Sequence, residues 1–384
     1  MAYGDIGAVI DTLEFDVADC GFPDIVHVSG DVYAIAYSGA AGAGWLVTVD
    51  IGTAGAIGAA VIDSFEFDAG QVSKPTIVHV SGDVFAIAYG GVDVDGFLVT
   101  VEITTAGAIG AAVIDSFEFD AVNCDAPDII HVSGDVFAIV YQGVDADGWL
   151  VTVEITTDGA IGAAVIDTLE FDVTSCTTPD IVHVSGDVFA IVYRGPTNYG
   201  YLVTVEITTA GAIGAAAIDT LTFESVNCAS PDIVNISGDI FAIVFQGEAF
   251  DGWLVTVEIT TAGAIGAAII DNFEFDAVAC TDPSIARVSD TICAIVYQNA
   301  PNHGWLKTIT IETDGQIAAA VIDTLEFDTV SGIAPVILHV SGDVYAIAYT
   351  GVDSDGFVIT SDISTLPPAP SEIVHHEMLM GMGP

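Results

Sequence analysis

Val9-Ile-Asp-Thr-Leu-Glu-Phe-Asp16 is the first copy of a motif that returns, with small substitutions, at residues 61–68, 113–120, 165–172, 217–224, 269–276 and 321–328. Its aspartate stands at Asp11, Asp63, Asp115, Asp167, Asp219, Asp271 and Asp323, each 52 residues from the last, with no insertion or deletion between copies. A second marker, Ser-Gly-Asp, keeps the same step at Gly30, Gly82, Gly134, Gly186, Gly238 and Gly342, with Asp290 standing in at the sixth copy. A fixed period of this length is the signature of an architecture in which every copy is one supersecondary unit.

Between successive copies of the motif lie three further segments rich in β-branched and aromatic residues. In the first full repeat the four segments are 24–29, 32–37, 45–51 and 61–68, here A, B, C and D. Gly, Pro and Asp clusters separate them, and none holds the apolar spacing of a helix. The A–B link is a tight turn and the C–D link, Thr-Ala-Gly-Ala-Ile-Gly or a close relative, is short, so each repeat reads as an antiparallel four-stranded meander. Strand B is apolar on both sides, with Ile35 and Tyr37 on one and Ala34 and Ala36 on the other. Such a sheet needs a neighbour on each face, which radial stacking supplies.

The chain opens with a lone D-type segment and its last repeat stops after a C-type segment, 356–363. The surplus at one end matches the deficit at the other, so residues 8–17 are expected to complete the last sheet and close a ring over residues 1–365. Over roughly residues 8–364 the chain resembles the seven-bladed β-propellers, an all-β fold. The Trp-Asp and Gly-His signatures of WD40 blades and the Gly-Gly pattern of kelch blades are absent, and the resemblance carries over no activity, because many functions share this architecture.

Composition narrows the partners. Against 54 acidic residues stand four basic ones, Lys74, Arg194, Arg287 and Lys307, a formal charge of −50. Binding to nucleic acid or an anionic membrane depends on cationic side chains and is excluded as an expectation. Self-repulsion of this size is relieved by salt or divalent cations, which suits a saline setting. No apolar run is long enough to span a membrane. The opening residues carry no basic start or apolar stretch, so no signal peptide is expected. The compartments compatible with this are an extracellular or virion surface, with the cytoplasm as the alternative.

Several residue sets invite chemistry. Cys20, Cys124, Cys176, Cys228 and Cys280 share one repeat position, completed by Val72 and Gly332, and read as buried free thiols more readily than as disulfides. His27, His79, His131, His183 and His339 share another with Asn235 and Arg287; a metal ring would have to tolerate that arginine, so a hydrogen-bonding role is expected. Asp93 with Asp95, Asp145 with Asp147, and Asp353 with Asp355 form Asp-x-Asp-Gly loops, candidates for Ca²⁺ but lacking its full oxygen series. Asp-Gly is equally a turn former. No nucleophile elbow is present, and residues repeated in every copy make poor catalytic candidates.

The copies differ unevenly. A–B and C–D turns barely change, whereas D–A and B–C loops change in nearly every residue, and in a meander both variable sets emerge on one face. Candidate contacts there for a protein or glycan are Phe22, Lys74, Arg194, Tyr199, Phe250 and His303. The sixth copy departs most, with Arg287 for His and Lys307 for a Val or Ile of strand C. After the repeats, Leu-Pro-Pro-Ala-Pro-Ser (366–371) reads as a stiff spacer, followed by an apolar, His- and Met-containing segment. Its residues Ile373, Val374, Met378, Leu379 and Met380 are the expected contacts of an assembly partner. The sequence thus favours a non-catalytic recognition or structural module. Its rivals are a carbohydrate-active or esterase-type enzyme with acids on the variable face, and a cytoplasmic interaction scaffold.

Overall fold

The computed structural model describes residues 2–365. They form seven four-stranded antiparallel sheets, each a blade. Blade 1 comprises A (Gly21–Ser29), B (Val32–Ser38), C (Gly44–Asp50) and D (Asp63–Asp68). The last blade combines Ile333–Ser341, Val344–Thr350 and Gly356–Ile363 with Ile6–Asp16 from the opposite end of the chain. Thr12 pairs with Ile359 and Leu13 with Val358, so the opening strand occupies the D position and shuts a seven-bladed β-propeller. Two boundaries differ from the sequence reading. Strand A starts three residues early, before an irregular pairing between Gly21 and Asp24, and strand D of blade 1 starts at Asp63, because the residues before it bend over the C–D turn. Six of the seven B–C loops also contain a single 3-10 turn, such as Ala40–Gly42, where no helix was expected.

Strand A of each blade packs against strand A of the next, so the A strands line the central axis and the D strands form the rim. The two-sided apolar pattern of strand B now has its reason. Ala34 and Ala36 of blade 1 share a core with Phe85, Ile87 and Tyr89 of blade 2, small residues on one blade facing large ones on its neighbour. The same exchange puts Ala86 and Ala88 against Phe137, Ile139 and Tyr141. Shape complementarity of this kind fills space at native density.

Polar tethers join the blades at recurrent points. Asp63 Oδ2 accepts the Ile109 N–H of the next blade at 2.9 Å, and Asp11, Asp115, Asp167, Asp219 and Asp271 do the same for their neighbours. Where the ring closes, Asp323 instead receives the Ile6 N–H at 2.9 Å. Thr48 donates to Gly107 O at 2.6 Å from a fully buried position, and Thr360 donates to Gly55 O across the closure. Tyr89 donates to Asp68 Oδ2 at 2.7 Å, with matching bonds at Tyr37, Tyr141, Tyr193, Tyr297 and Tyr349. Each hydrogen bond to a charged acceptor contributes roughly 1.5–3 kcal/mol.

The closing strand buries Leu13 and Phe15, worth roughly 1.5–3 kcal/mol each, besides its ladder of backbone bonds. Deleting residues 2–16 is therefore expected to lower the thermal midpoint sharply and to expose the edge of Gly356–Ile363 to self-association. Calorimetry and light scattering read both effects, and an unchanged melting curve would refute closure.

Candidate functional site

The D–A and B–C loops meet on one face, and outside the B–C loop of blade 6 their backbones repeat even where their side chains do not. In six junctions a residue of the D–A loop donates its N–H to a B–C carbonyl of the preceding blade: Val72 to Gly42, Cys124 to Val94, Cys176 to Ala146, Cys228 to Asn198, Cys280 to Phe250 and Gly332 to Asn302. Cys20 N–H does so to Ser354 O across the closure. Six B–C loops place two successive residues in the left-handed region, for example Asp93 and Val94 at φ 61° and 64°. Asp93, Asp145 and Asp353 occupy the first of these positions, a conformation aspartate tolerates better than most residues. Their Asp-x-Asp-Gly stretches thus serve as turns, with Gly91 N–H donating to Asp95 O. Among the described residues no group of three or more His, Cys, Asp or Glu side chains gathers as a metal site.

At the centre of this face the channel opens into a vestibule of about 280 Å³. A collar of prolines surrounds it, each preceded by a residue at φ 44–48°, among them Phe22 before Pro23 and Lys74 before Pro75. Lys74 Nζ sits 5.5 Å from the centre of the Phe22 ring and 4.0 Å from Asp125. The structure thus brings two of the sequence-derived candidates together at the rim.

Below the collar lie Asp24, Asp128, Asp180 and Asp232, which the sequence reading did not single out. Each links its blade to the next: Asp24 Oδ2 accepts Ile77 N–H at 2.8 Å, Asp128 that of Ile181 at 3.1 Å, Asp180 that of Ile233 at 2.8 Å and Asp232 that of Ile285 at 2.9 Å. Burial pushes the Asp24 carboxyl up to about 6. Burial, reinforced by the charge of Asp180, pushes Asp128 and Asp232 well above the usual carboxylate range. The signal was present in the sequence as a recurring x-Pro-Asp-Ile, but only the ring radius reveals that successive copies confront one another.

Arg194 and Phe250 line one cleft, at the junction of blades 4 and 5. Tyr199 is half-buried and ends a B–C turn, its N–H donating to Pro196 O. His303 is held by Glu326 across strands C and D of blade 6. Both sixth-blade cations are paired. Arg287 bonds Asp290, replacing the bond that His27 Nε2–H makes to Gly30 O at 2.9 Å and that Asn235 makes to Gly238 O. Lys307, buried, lies 2.9 Å from Asp276 and donates to Phe275 O at 2.7 Å. Burial raises the Asp276 carboxyl, but the bonds from Tyr297 and Lys307 outweigh it and leave the group lowered. All six cysteines are free and buried. Ile373, Val374, Met378, Leu379 and Met380 lie outside the described residues.

With this geometry established, comparison with known proteins bears on the fold. No protein-family model matches the sequence, and no curated protein matches it. Solved structures do: a crystal structure of BBS1N in complex with ARL6DN, soaked with mercury, aligns with a TM-score of 0.56 and 8% identity over 94% of this chain and 97% of that one. Sqt1 from Chaetomium thermophilum aligns with a TM-score of 0.54 and 13% identity over 90% and 83%. At these identities the likeness establishes the β-propeller architecture. No helix among the described residues is long and apolar enough to cross a membrane.

The vestibule carboxylates make the ring sensitive to pH. Asp24, Asp128 and Asp232 bind protons more tightly folded than unfolded, so each adds stability as pH falls through its raised folded pKa, about 6 for Asp24, towards the ordinary carboxylate range, and withdraws it as pH rises again. Asp180→Asn keeps an oxygen for Ile233 while removing the shared charge, and is expected to add about 1–2 kcal/mol at pH 8. The gain should shrink towards pH 5. Melting curves at both pH values test this, and equal effects at the two would exclude charge crowding.

Proposed function

We propose that the protein is a non-catalytic recognition module, a rigid acidic ring that binds a protein or glycan through the face bearing its D–A and B–C loops. One observation carries the reading: a repeated backbone there presents side chains that differ from blade to blade. Apart from Ile10, Ile62, Ile114, Ile166 and Ile218, every exposed large apolar side chain among the described residues lies on this face, including Val17, Phe22, Val92, Val122, Phe250 and Val278. The opposite face repeats one A–B turn with an acidic residue such as Asp31 or Asp83. Protein association on the same fold has a parallel in BBS1N, whose structure was solved in complex with ARL6DN. We place the protein on a cell or virion surface, or within a larger assembly reached through residues 366–384.

A second reading, acid catalysis in the vestibule, draws on the raised Asp24, Asp128 and Asp232 carboxyls. Against it, each of these carboxyls is engaged with a backbone N–H of the neighbouring blade. Their arrangement meets the needs of blade packing before any substrate arrives.

A glycan array and a panel of purified surface proteins, probed with labelled ring, test the main reading. The combined change Phe22→Ala, Val122→Ser and Val278→Ser is expected to weaken the bound ligand at least about tenfold, a loss of ~1.4 kcal/mol. Asp31→Asn with Asp83→Asn on the opposite face should leave it unchanged; the reverse pattern would move recognition to that face. Removing residues 366–384 is expected to leave the melting curve intact while lowering the oligomeric state, measured by light scattering. An unaltered mass would exclude the tail from assembly.

A further inference from the structure

We propose that the paired clefts flanking Phe250 form a binding site for a sugar bearing a carboxylate, a uronate or sialate type of residue, with Arg194 as its anchor. The inference rests on the recognition reading and names a ligand class for part of that face.

Arg194 is anomalous among the basic side chains. Of the four basic side chains, Lys74, Arg287 and Lys307 each have an aspartate within 4.0 Å. Arg194 alone has no carboxylate within that distance among the described residues, although the chain has 54 acidic residues. It ends strand B of blade 4 (Val188–Arg194), where the corresponding positions hold Ser38, Gly90, Gln142, Gln246, Gln298 and Thr350. Its neighbours in a cleft of about 420 Å³ include Asn227, Gln246, Glu248 and Phe250. A guanidinium presents a planar fork that matches a carboxylate with two parallel hydrogen bonds.

Phe250 supplies the second, independent observation. It is 66% exposed and its φ is +71°, directly after Ala249 at +59°. The equivalent positions hold Gly42, Val94, Ala146, Asn198, Asn302 and Ser354, so the fold requires no aromatic ring there. A bulky residue in the left-handed region is strained, and strain of this kind gathers where a side chain serves binding. The fold uses the Phe250 carbonyl, which accepts Cys280 N–H at 2.6 Å, a role any residue could fill.

Phe250 also borders a second cleft, of about 320 Å³, at the junction of blades 5 and 6. Thr281, Gln298, Asn299 and Asn302 line it, with no charged residue. The amides are already oriented: Asn227 Nδ2 donates to Gly247 O at 2.9 Å, and Gln298 Nε2 to Asn302 Oδ1 at 2.8 Å. Their orientation precedes binding, which limits the entropy lost when a ligand arrives. An aromatic ridge suits the apolar face of a pyranose, flanking amides suit its hydroxyls, and the guanidinium suits its carboxylate. Glu248 in the first cleft and the net charge of −50 disfavour multiply charged anions, so a single carboxylate fits better than a phosphate or a sulfated chain.

The test uses the full chain and defined probes: methyl β-D-glucuronide, N-acetylneuraminic acid, the neutral methyl β-D-glucoside, and glutamate as a carboxylate without a sugar. Binding is followed by ligand-observed NMR and titration calorimetry. The expected result is millimolar or tighter binding of at least one acidic sugar, with glucoside and glutamate each weaker by about tenfold or more. Arg194→Gln should abolish the preference for acid over neutral sugar. Phe250→Asn should abolish binding while raising the melting temperature, because asparagine accepts the left-handed turn at lower cost. Equal affinity of the Arg194→Gln variant for acidic sugar, equal binding of glutamate, or no acidic-sugar binding by the intact chain would overturn the proposal. If a ligand then bound through Phe22 and Val122 without Arg194 or Phe250, the recognition reading would survive and this site alone would fall.

Discussion

Ring closure by residues 6–16 is the constraint on which the rest of the molecule depends. A stack of two-sided sheets leaves an apolar face at each end unless the ends meet, and here the first strand hydrogen-bonds to Gly356–Ile363. Closure fixes the radius, and the radius decides which atoms of neighbouring blades can touch. Asp24 reaches Ile77 and Thr48 reaches Gly107 only because each blade stands in one orientation to the next. The vestibule, the uniform face and the individualised face all inherit their geometry from that single join.

The acidic excess becomes intelligible within the same frame. Carboxylates here are balanced mainly by backbone N–H groups instead of by lysine and arginine. Asp68 shows the economy of the arrangement: Oδ1 accepts Gly70 N–H in its own turn at 2.6 Å, while Oδ2 accepts the Tyr89 hydroxyl of the next blade at 2.7 Å. Asp63 similarly divides its oxygens between Ser64 and Ile109. A carboxylate with fixed dipoles on both oxygens needs no cation to be stable. Where one does arrive, in blade 6, it takes over an existing acceptor, as Lys307 does with Asp276.

Much of this was legible in the sequence, and all but one of the exceptions share a cause. The 52-residue step, the meander and the lone opening strand are local or additive properties of the chain, and they were sufficient to place the blades and the variable face. Phe22 with Lys74, and Arg194 with Phe250, were named from loop variation, but their grouping into a rim and a cleft required coordinates. The carboxylates Asp24, Asp128, Asp180 and Asp232 escaped notice because a residue recurring at one repeat position, here in four of seven copies, looks like packing. Their crowding is a property of the ring and of no single repeat. The early start of strand A escaped for a local reason: a left-handed residue directly before proline, as at Phe22, runs against the usual preference of that position for extended backbone.

Blades 4 to 6 hold three of the four basic residues, Arg194, Arg287 and Lys307, and their fates differ in an instructive way. In blade 6 each substitution comes with a partner, so that Arg287 meets Asp290 where other copies place His or, in blade 5, Asn with Gly, and Lys307 lies along Phe275 and Tyr297 with Asp276 at its tip. These changes restore what they displace and leave the surface much as before. Arg194 restores nothing, and beside it Phe250 adds exposed area and sets an aromatic side chain, which the turn does not require, on a left-handed backbone position that the turn does. Random drift in a strongly acidic ring would be expected to leave a surface cation beside one of many available carboxylates and to remove a costly aromatic from a left-handed turn. The coincidence of both departures at one junction is the physical reason to look there first for what the ring recognises.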